Sequence, residues 1–291
     1  MIERVSLNIR PDDRHALALI RELISFFNSK KISVLLPDIE ILRAEGFSSQ
    51  IADSERFVNE AQLVVVIGGD GTFLRTARLF AHTNTPLFGI NRGRLGFLTE
   101  FSPEESLRYL EGFIDGKFGA TARSILEVRL IRNGREIARK PFFNDAVISK
   151  GAFSRPIRIT LELDDAHLNR YSGDGLIIAT ATGSTAYSLS AGGPIVVPSI
   201  ENVYILNPIC PHTLAMRPMI IPAAVTLRAR IISAFENLLL TIDGQEAIPI
   251  EGSDEIIVRG SNRKIFLIPH PDRDYYTILR QKLGWGRNMD D

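Results

Sequence analysis

The chain has 291 residues, 45% of them apolar and 23% charged, the proportions of an ordinary globular enzyme with room for two domains. Lys plus Arg and Asp plus Glu balance at 34 each, which argues against a nucleic-acid or anionic-membrane binder. Cys210 is the only cysteine, so an intrachain disulfide and a zinc–thiolate cluster are both excluded.

Met1 to Ser6 lacks the apolar core of a signal peptide, and no apolar run is long enough to span a bilayer; a cytoplasmic protein is expected. Val5 to Ile9 reads as a strand. Asp12 or Asp13 can then cap a helix whose apolar face carries Leu17, Ile20, Leu23, Ile24 and Phe27. Ile32 to Leu36, Leu63 to Ile67 and Pro86 to Ile90 are further strands, and Ser102-Pro103-Glu104-Glu105 opens another helix. Strands separated by helices predict a parallel sheet covered on both faces, with ligands bound beyond the carboxyl ends of its strands.

The pattern changes near Gly116 to Gly119. Short alternating runs follow: Leu126 to Ile131, Lys140 to Ser149, Ile157 to Leu163, Gly175 to Thr180, Val225 to Ile232, Leu238 to Ile242, Glu255 to Val258 and Ile265 to Ile268. Asn133-Gly134 signals a hairpin, and helical pattern is confined to Ser184 to Ala191. This part is expected to be mostly antiparallel β. Asp274 to Leu283 is helix-like again, with Tyr276, Leu279 and Leu283 on one face. The predicted class is therefore α/β plus β: residues 1–118 as a parallel-sheet α/β domain, 119–270 as an all-β, sandwich-like substrate domain, and 271–291 as a C-terminal helix returning to the first domain.

Neither Gly-x-x-x-x-Gly-Lys-Ser/Thr nor Gly-x-Gly-x-x-Gly occurs, so the P-loop and the usual dinucleotide fingerprint are absent. Gly68-Gly69-Asp70-Gly71-Thr72 takes their place, between an apolar strand and a helix. Glycines at such a break bring backbone N–H groups close to phosphate, and the following helix adds positive partial charge. A carboxylate at the centre would repel a phosphate, so Asp70 suits proton acceptance from an attacking hydroxyl, or help in holding Mg²⁺. A tight turn with no ligand is the bland alternative. Asn91 to Thr99 ends the next strand, and its Arg92 and Arg94 can meet phosphate. Asp174 to Pro194 runs from a strand through a hydroxyl-rich turn, which Thr182 or Ser184 can cap, into a short helix with Tyr187. Asn144-Asp145 offers groups for ribose hydroxyls or a base edge, and Asp243-Gly244-Gln245 reads first as a hairpin turn. The five histidines show no metal spacing.

Together these stretches resemble the NAD kinase family, the ATP–NAD 2′-phosphotransferases, of bacterial type. The match comprises Gly-Gly-Asp-Gly-Thr at 68–72, Asn-x-Gly-x-Leu-Gly-Phe-Leu at 91–98, Asn-Asp at 144–145, Asp-Gly-Leu-Ile-Ile at 174–178, the run from Thr182 to Pro194, and Pro-x-x-Pro-His-Thr-Leu at 208–214. Ala181 departs from the family's usual proline. The resemblance implies transfer of the γ-phosphoryl group of ATP, or of another donor, to the 2′-hydroxyl of the adenosine ribose of NAD. It implies Mg²⁺ or another divalent cation, carried by ATP and assisted by Asp70, with no separate metal ligands from the protein. Asp70 would be the proton acceptor. Gly68, Gly69, Gly71, Thr72, Arg75 and Asn91 would serve the phosphates and the dinucleotide; Asn144 and Asp145 the ribose and base; Asp174 another polar group. Thr182, Thr185, Ala186, Tyr187 and Ser190 would line the base pocket, with Arg155, Ser172 and Gln245 as further contacts. The implied partners are nucleotides and further copies of the chain, as a homodimer or homotetramer, with neither nucleic acid nor membrane. A lipid kinase sharing the glycine–aspartate turn and a non-catalytic dinucleotide sensor are the rival readings.

Overall fold

A run that is apolar at every position needs cover on both faces, and Leu63–Ile67 is fully buried in the computed structural model of the chain, which describes residues 2–93, 95–151, 155–213, 215–232 and 237–284. Arg94 and Leu214, which fall within two of the motifs above, lie outside the described residues. The chain forms two compact units: one from the described residues up to Ala122 and again from Ile265 onward, the other from Arg123 to Lys264.

The first unit alternates as expected: β1 (Arg4–Ile9), α1 (Leu17–Ser29), β2 (Ser33–Pro37), α2 (Glu40–Ala44), β3 (Ile51–Ala52), α3 (Ser54–Asn59), β4 (Leu63–Ile67), α4 (Asp70–Leu79), β5 (Pro86–Ile90) and α5 (Pro103–Ile114). The strands are parallel in the order β3-β2-β1-β4-β5. Val5, Leu7 and Ile9 of β1 and Leu63, Val65 and Ile67 of β4 share a core with Ile20, Leu23 and Phe27 of α1 and Leu110 of α5. On the opposite face the Ser6 hydroxyl donates to Phe57 O of α3, and Asn8 Nδ2 donates to Thr76 Oγ1 of α4. The strand order reverses between β1 and β4, so the carboxyl end of β4 lies at a topological switch point, the place where open α/β sheets bind ligands. The glycine–aspartate turn follows β4 directly. Helix α5 carries a complete capping box between Ser102 and Glu105, with Pro103 behind the cap. Asp13 caps nothing: its carboxylate is instead ion-paired with Arg92, and a 3₁₀ turn, Arg14–Ala16, leads into α1.

The second unit contains β6 (Thr121–Arg132), β7 (Arg135–Phe142), β8 (Asp145–Ser149), β9 (Ile157–Leu163), β10 (Ala166–Gly173), β11 (Gly175–Thr180), α6 (Tyr187–Ser190), β12 (Val203–Ile209), β13 (Met219–Pro222), β14 (Leu227–Ile231), β15 (Leu238–Ile242), β16 (Glu246–Ile250) and most of β17 (Glu255–Leu267). One antiparallel sheet has the order β13-β12-β11-β8-β15-β16. The strands β10, β9, β14 and β17 form the other layer, and β6 pairs with β17 and β7. Alternate residues of both layers interdigitate, with Ile148, Ile178 and Leu240 on one side and Ile159, Leu227 and Ile256 on the other. The outer face of the first of these sheets, with Val147, Ile177, Ala179 and Ile205, is covered by the segment that contains Ala181, Ala191 and Val196.

Some expectations change on folding. Lys140 to Ser149 is not one strand: it breaks at Phe143 and Asn144, whose N–H groups are taken by the Asp243 carboxylate. Glu255 to Val258 and Ile265 to Ile268 are not two strands, since β17 runs through the polar stretch between them. Neither Thr182 nor Ser184 caps α6: Thr182–Thr185 is itself a 3₁₀ turn, and the Ser184 hydroxyl is spent on both backbone groups of Val196. The last residues of β17, Phe266 and Leu267, pair in parallel with β5 in the first unit, and α7 (Tyr275–Leu283) follows. Asp274 caps α7 through Thr277 N, and Ile278 and Leu279 are buried. Tyr276 and Leu283, expected on the buried face, are 54% and 41% exposed. Of that face only Leu279 is buried; the buried stripe turns from it toward Ile278, and the Tyr275 ring tilts against Phe97.

Candidate active site

The turn after β4 is shaped by glycines with different jobs. Gly68 has φ +153°, and a Cβ there would lie 2.8 Å from Thr72 Oγ1, so the chain itself requires glycine. Its N–H donates to Ile90 O and is therefore not a phosphate donor, contrary to the expectation for all three glycines. Gly69 and Gly71 are exposed, neither has a positive φ, and a Cβ on either would meet nothing within 4 Å. Nothing among the described residues demands glycine at these two positions; what their bareness provides is room for an incoming group against the first turn of α4.

Asp70 begins α4, and its carboxylate is held by the loop after β5. Oδ1 accepts from Leu98 N at 3.1 Å, Thr99 N at 3.2 Å and the Thr99 hydroxyl at 3.0 Å, while Oδ2 accepts from Phe97 N at 2.9 Å. A Cβ on Gly96 would stand 2.0 Å from Asp70 Oδ1 and 2.4 Å from Thr99 Oγ1, so this approach exists only because residue 96 is glycine. Asn91 is buried, takes Gly93 N on Oδ1 at 2.7 Å and donates from Nδ2 to Thr99 Oγ1 at 2.8 Å. Asn91, Thr99 and Asp70 thus form one hydrogen-bonded chain. The result is a carboxylate with fixed orientation, Oδ1 filled and Oδ2 carrying a single N–H. Arg75 is exposed one turn further along α4, and Thr72 is partly exposed beside Gly68. Gly96 and Thr99 are neighbours of the candidate acid that the sequence does not single out; their signal is their place within the Asn91 to Thr99 cluster.

In the second unit the candidate residues fall into two groups, one at each end of β11. The antiparallel pairings set Ala179 opposite Asp145 and Ala146 opposite Ile242, so the head of β8 and the tails of β11 and β15 share one end of the sheet. Asn144, Asp145, Thr182, Thr185, Ala186, Tyr187, Ser190 and Gln245 gather there. Asn144 O accepts Thr180 N, and Gly183 packs so close that a Cβ would be 2.0 Å from that oxygen. Tyr187 is 47% exposed, and Ser190 and Gln245 are exposed. Asp145 is buried; its desolvation first, and the like charge of Asp243 second, push its carboxyl up to about 7. Asp174 and Ser172 lie at the opposite end, about 20 Å away along the strand at its usual rise per residue. Asp174 is ion-paired with Lys150 at 2.8 Å, and Ser172 O accepts His212 N. Arg155 is exposed before β9. One chain therefore does not bring Asp174 and Ser172 to the Asn144 group.

Among the described residues no group of three or more His, Cys, Asp or Glu side chains is placed to hold a metal ion, and no helix is long and apolar enough to cross a membrane.

Comparison with known proteins finds matches to both halves of the chain. The ATP-NAD kinase N-terminal domain model matches residues 9–118, and the ATP-NAD kinase C-terminal domain model matches residues 143–270. An NAD kinase of Trichlorobacter lovleyi is 38% identical over 286 residues, covering 98% of this chain and 99% of its own length. An NAD kinase of Geobacter sulfurreducens is 38% identical over 285 residues, with the same coverage. The crystal structure of yeast NADH kinase complexed with NADH superposes with a TM-score of 0.90 at 26% identity, covering 99% of this chain and 89% of that one. An NAD kinase from Archaeoglobus fulgidus in complex with ATP superposes with a TM-score of 0.75 at 25% identity, covering 96% and 98%. With both domain models matched and relatives aligned over nearly their whole length, the chain belongs to the NAD kinase family.

Proposed function

We infer that the chain transfers the γ-phosphoryl group of ATP to the 2′-hydroxyl of the adenosine ribose of NAD, giving NADP. The observation that carries this reading is the Asp70 carboxylate, fixed by four donors at the switch point of a parallel sheet, beside two glycines whose missing side chains leave space for phosphate. Phosphoryl transfer passes through a loose transition state, so the protein's work is to position the reactants and to neutralise charge. Gly69, Gly71 and the first turn of α4 would face the phosphates, with Arg75 as the nearby cation. Asp70 Oδ2 would orient the ribose hydroxyl and accept its proton late in the reaction; a positioned base contributes about 10²–10⁴-fold. Asn144 and Asp145 would hold ribose and base edges, and Tyr187, Ser190 and Gln245 the base.

Mg²⁺ would enter on the ATP phosphates and neutralise their charge. With Oδ1 filled and Oδ2 facing the ribose hydroxyl, Asp70 would assist the ion through the ion's own water, which fits an ion that keeps most of its water. A homodimer or homotetramer is proposed as the working form; Met219 and Ile220, 43% and 50% exposed on the edge strand β13, support an apolar contact of that kind. A cytoplasmic location is proposed with it.

Purified protein incubated with NAD, Mg²⁺ and ATP, polyphosphate or another donor, with NADP read by a coupled dehydrogenase, tests the reading. Tight NAD binding with no NADP from any donor would favour the sensor, and phosphorylation of a lipid acceptor in place of NAD would favour the lipid kinase.

A further inference from the structure

We propose that Asp243 is a positioning residue for the dinucleotide site, holding the Asn144–Asp145 segment in place from the turn between β15 and β16. The inference rests on the assignment of Asn144 and Asp145 to bound NAD. Asp243 follows β15 at φ +51° and is buried. Its Oδ1 accepts from Phe143 N at 3.2 Å, Asn144 N at 2.7 Å and Asp145 N at 3.1 Å, and its Oδ2 shares Phe143 N at 3.1 Å. Its own N–H donates to Asp145 O at 2.8 Å, which closes the contact in both directions.

Three consecutive N–H groups converging on one side chain call for an acceptor with lone pairs on both oxygens, and an ionised carboxylate supplies them. An asparagine would turn one oxygen into a donor aimed at Phe143 N. From the other side, Thr180 N donates to Asn144 O, and the Thr180 hydroxyl donates to Phe143 O at 2.5 Å. The Asn144 backbone is therefore clamped between β11 and the 243–245 turn. The same carboxylate is the charge that acts on Asp145 within this unit. The elements beside Asp145, which are Gly175–Thr180, Leu238–Ile242 and the Thr182–Thr185 turn, carry no titratable side chain. Asp243 thus holds the segment in position and adds its like charge, second to burial, to what raises the Asp145 carboxyl.

Steady-state kinetics of Asp243→Asn in the full chain, over a pH series, test this. The expected result is a KM for NAD raised about tenfold, the scale of one lost hydrogen bond to a charged group, with kcat and the KM for ATP little changed. The pH step in NAD affinity that belongs to Asp145 should also move to lower pH, because the neighbouring negative charge is gone. A merely structural role would not move that step. A KM for NAD within twofold of the parent, together with an unmoved step, overturns the proposal. Should the variant fail to fold, amide hydrogen exchange on the unaltered protein decides: fast exchange at Phe143, Asn144 and Asp145 overturns the clamp, and slow exchange supports it. Asp145→Asn separates the two levels, since an unchanged KM for NAD there refutes the site assignment itself and not the role of Asp243.

Discussion

Replacing Asp70 by asparagine probes the chemistry and the local structure at once. The side chain keeps its shape, but an amide accepts through only one atom. Placing its oxygen where Oδ1 stands preserves the bonds from Leu98, Thr99 and the Thr99 hydroxyl, and aims the NH₂ at Phe97 N across 2.9 Å. One bond is lost and the other three lose charge assistance, a local loosening of about 2–4 kcal/mol. Loss of the proton acceptor adds its own barrier: a factor of about 10²–10⁴ in kcat, or roughly 2.7–5.5 kcal/mol. We therefore expect Asp70→Asn to bind NAD within a few-fold of the parent, to turn over about 10²–10⁴ times more slowly, and to exchange the Phe97 amide about one to three orders of magnitude faster. The coupled NADP assay reads the first two effects and hydrogen exchange the third. A kcat within about tenfold of the parent would refute Asp70 as the base. An unchanged Phe97 exchange rate would show that Asp70 Oδ2 does not hold the Phe97 N–H.

Gly96→Ala puts a methyl group 2.0 Å from Asp70 Oδ1, so the carboxylate must leave its seat and kcat should fall by about 10² or more. Gly93→Ala, whose Cβ would meet only Asn91 Oδ1 at 3.8 Å, is the control expected to keep its activity. The Asp145 carboxyl rises from 3.8 to about 7 on folding, so the native state holds the extra proton between those values and stability falls as pH rises through that window. At about 1.4 kcal/mol per unit the loss approaches roughly 4 kcal/mol above pH 7. Asp145→Asn should remove this slope, and parallel stability-against-pH curves by urea denaturation would contradict the burial argument. Arg132 donates to both oxygens of Asp254, whose side chain is wholly buried, so Arg132→Ala should cost about 3–5 kcal/mol by strip-ping that charge of its partner. A cost under about 1 kcal/mol would place the pair among solvent-screened surface bridges.

Much of the first unit was legible because its signals are local. Leu63 to Ile67 is apolar throughout, Ser102 and Glu105 have capping-box spacing, and three glycines around one acid mark a strand-to-helix break. In the second unit Ile157–Leu163, Gly175–Thr180 and Leu238–Ile242 match the expected strands residue for residue, each an apolar or alternating run between turn residues. The polar β10 and the short β3, β13 and β16 carry too little pattern to stand out. The contacts of Thr99, Gly96 and Asp243 were not readable, because each reaches a residue 26 to 100 positions away in the chain.

Local pattern, then, was enough to establish the two kinds of architecture, the acid within its glycine turn and the hydroxyl-rich turn before α6, since periodicity and backbone freedom act over a few residues. Packing alone settled which donors hold Asp70, that Gly68 spends its N–H on β5, that Asp243 reaches back to Asn144, and that Asn144 joins the end of β11 away from Asp174. Those outcomes follow from strand order and register, which arise when distant segments pair and which no short stretch of chain encodes.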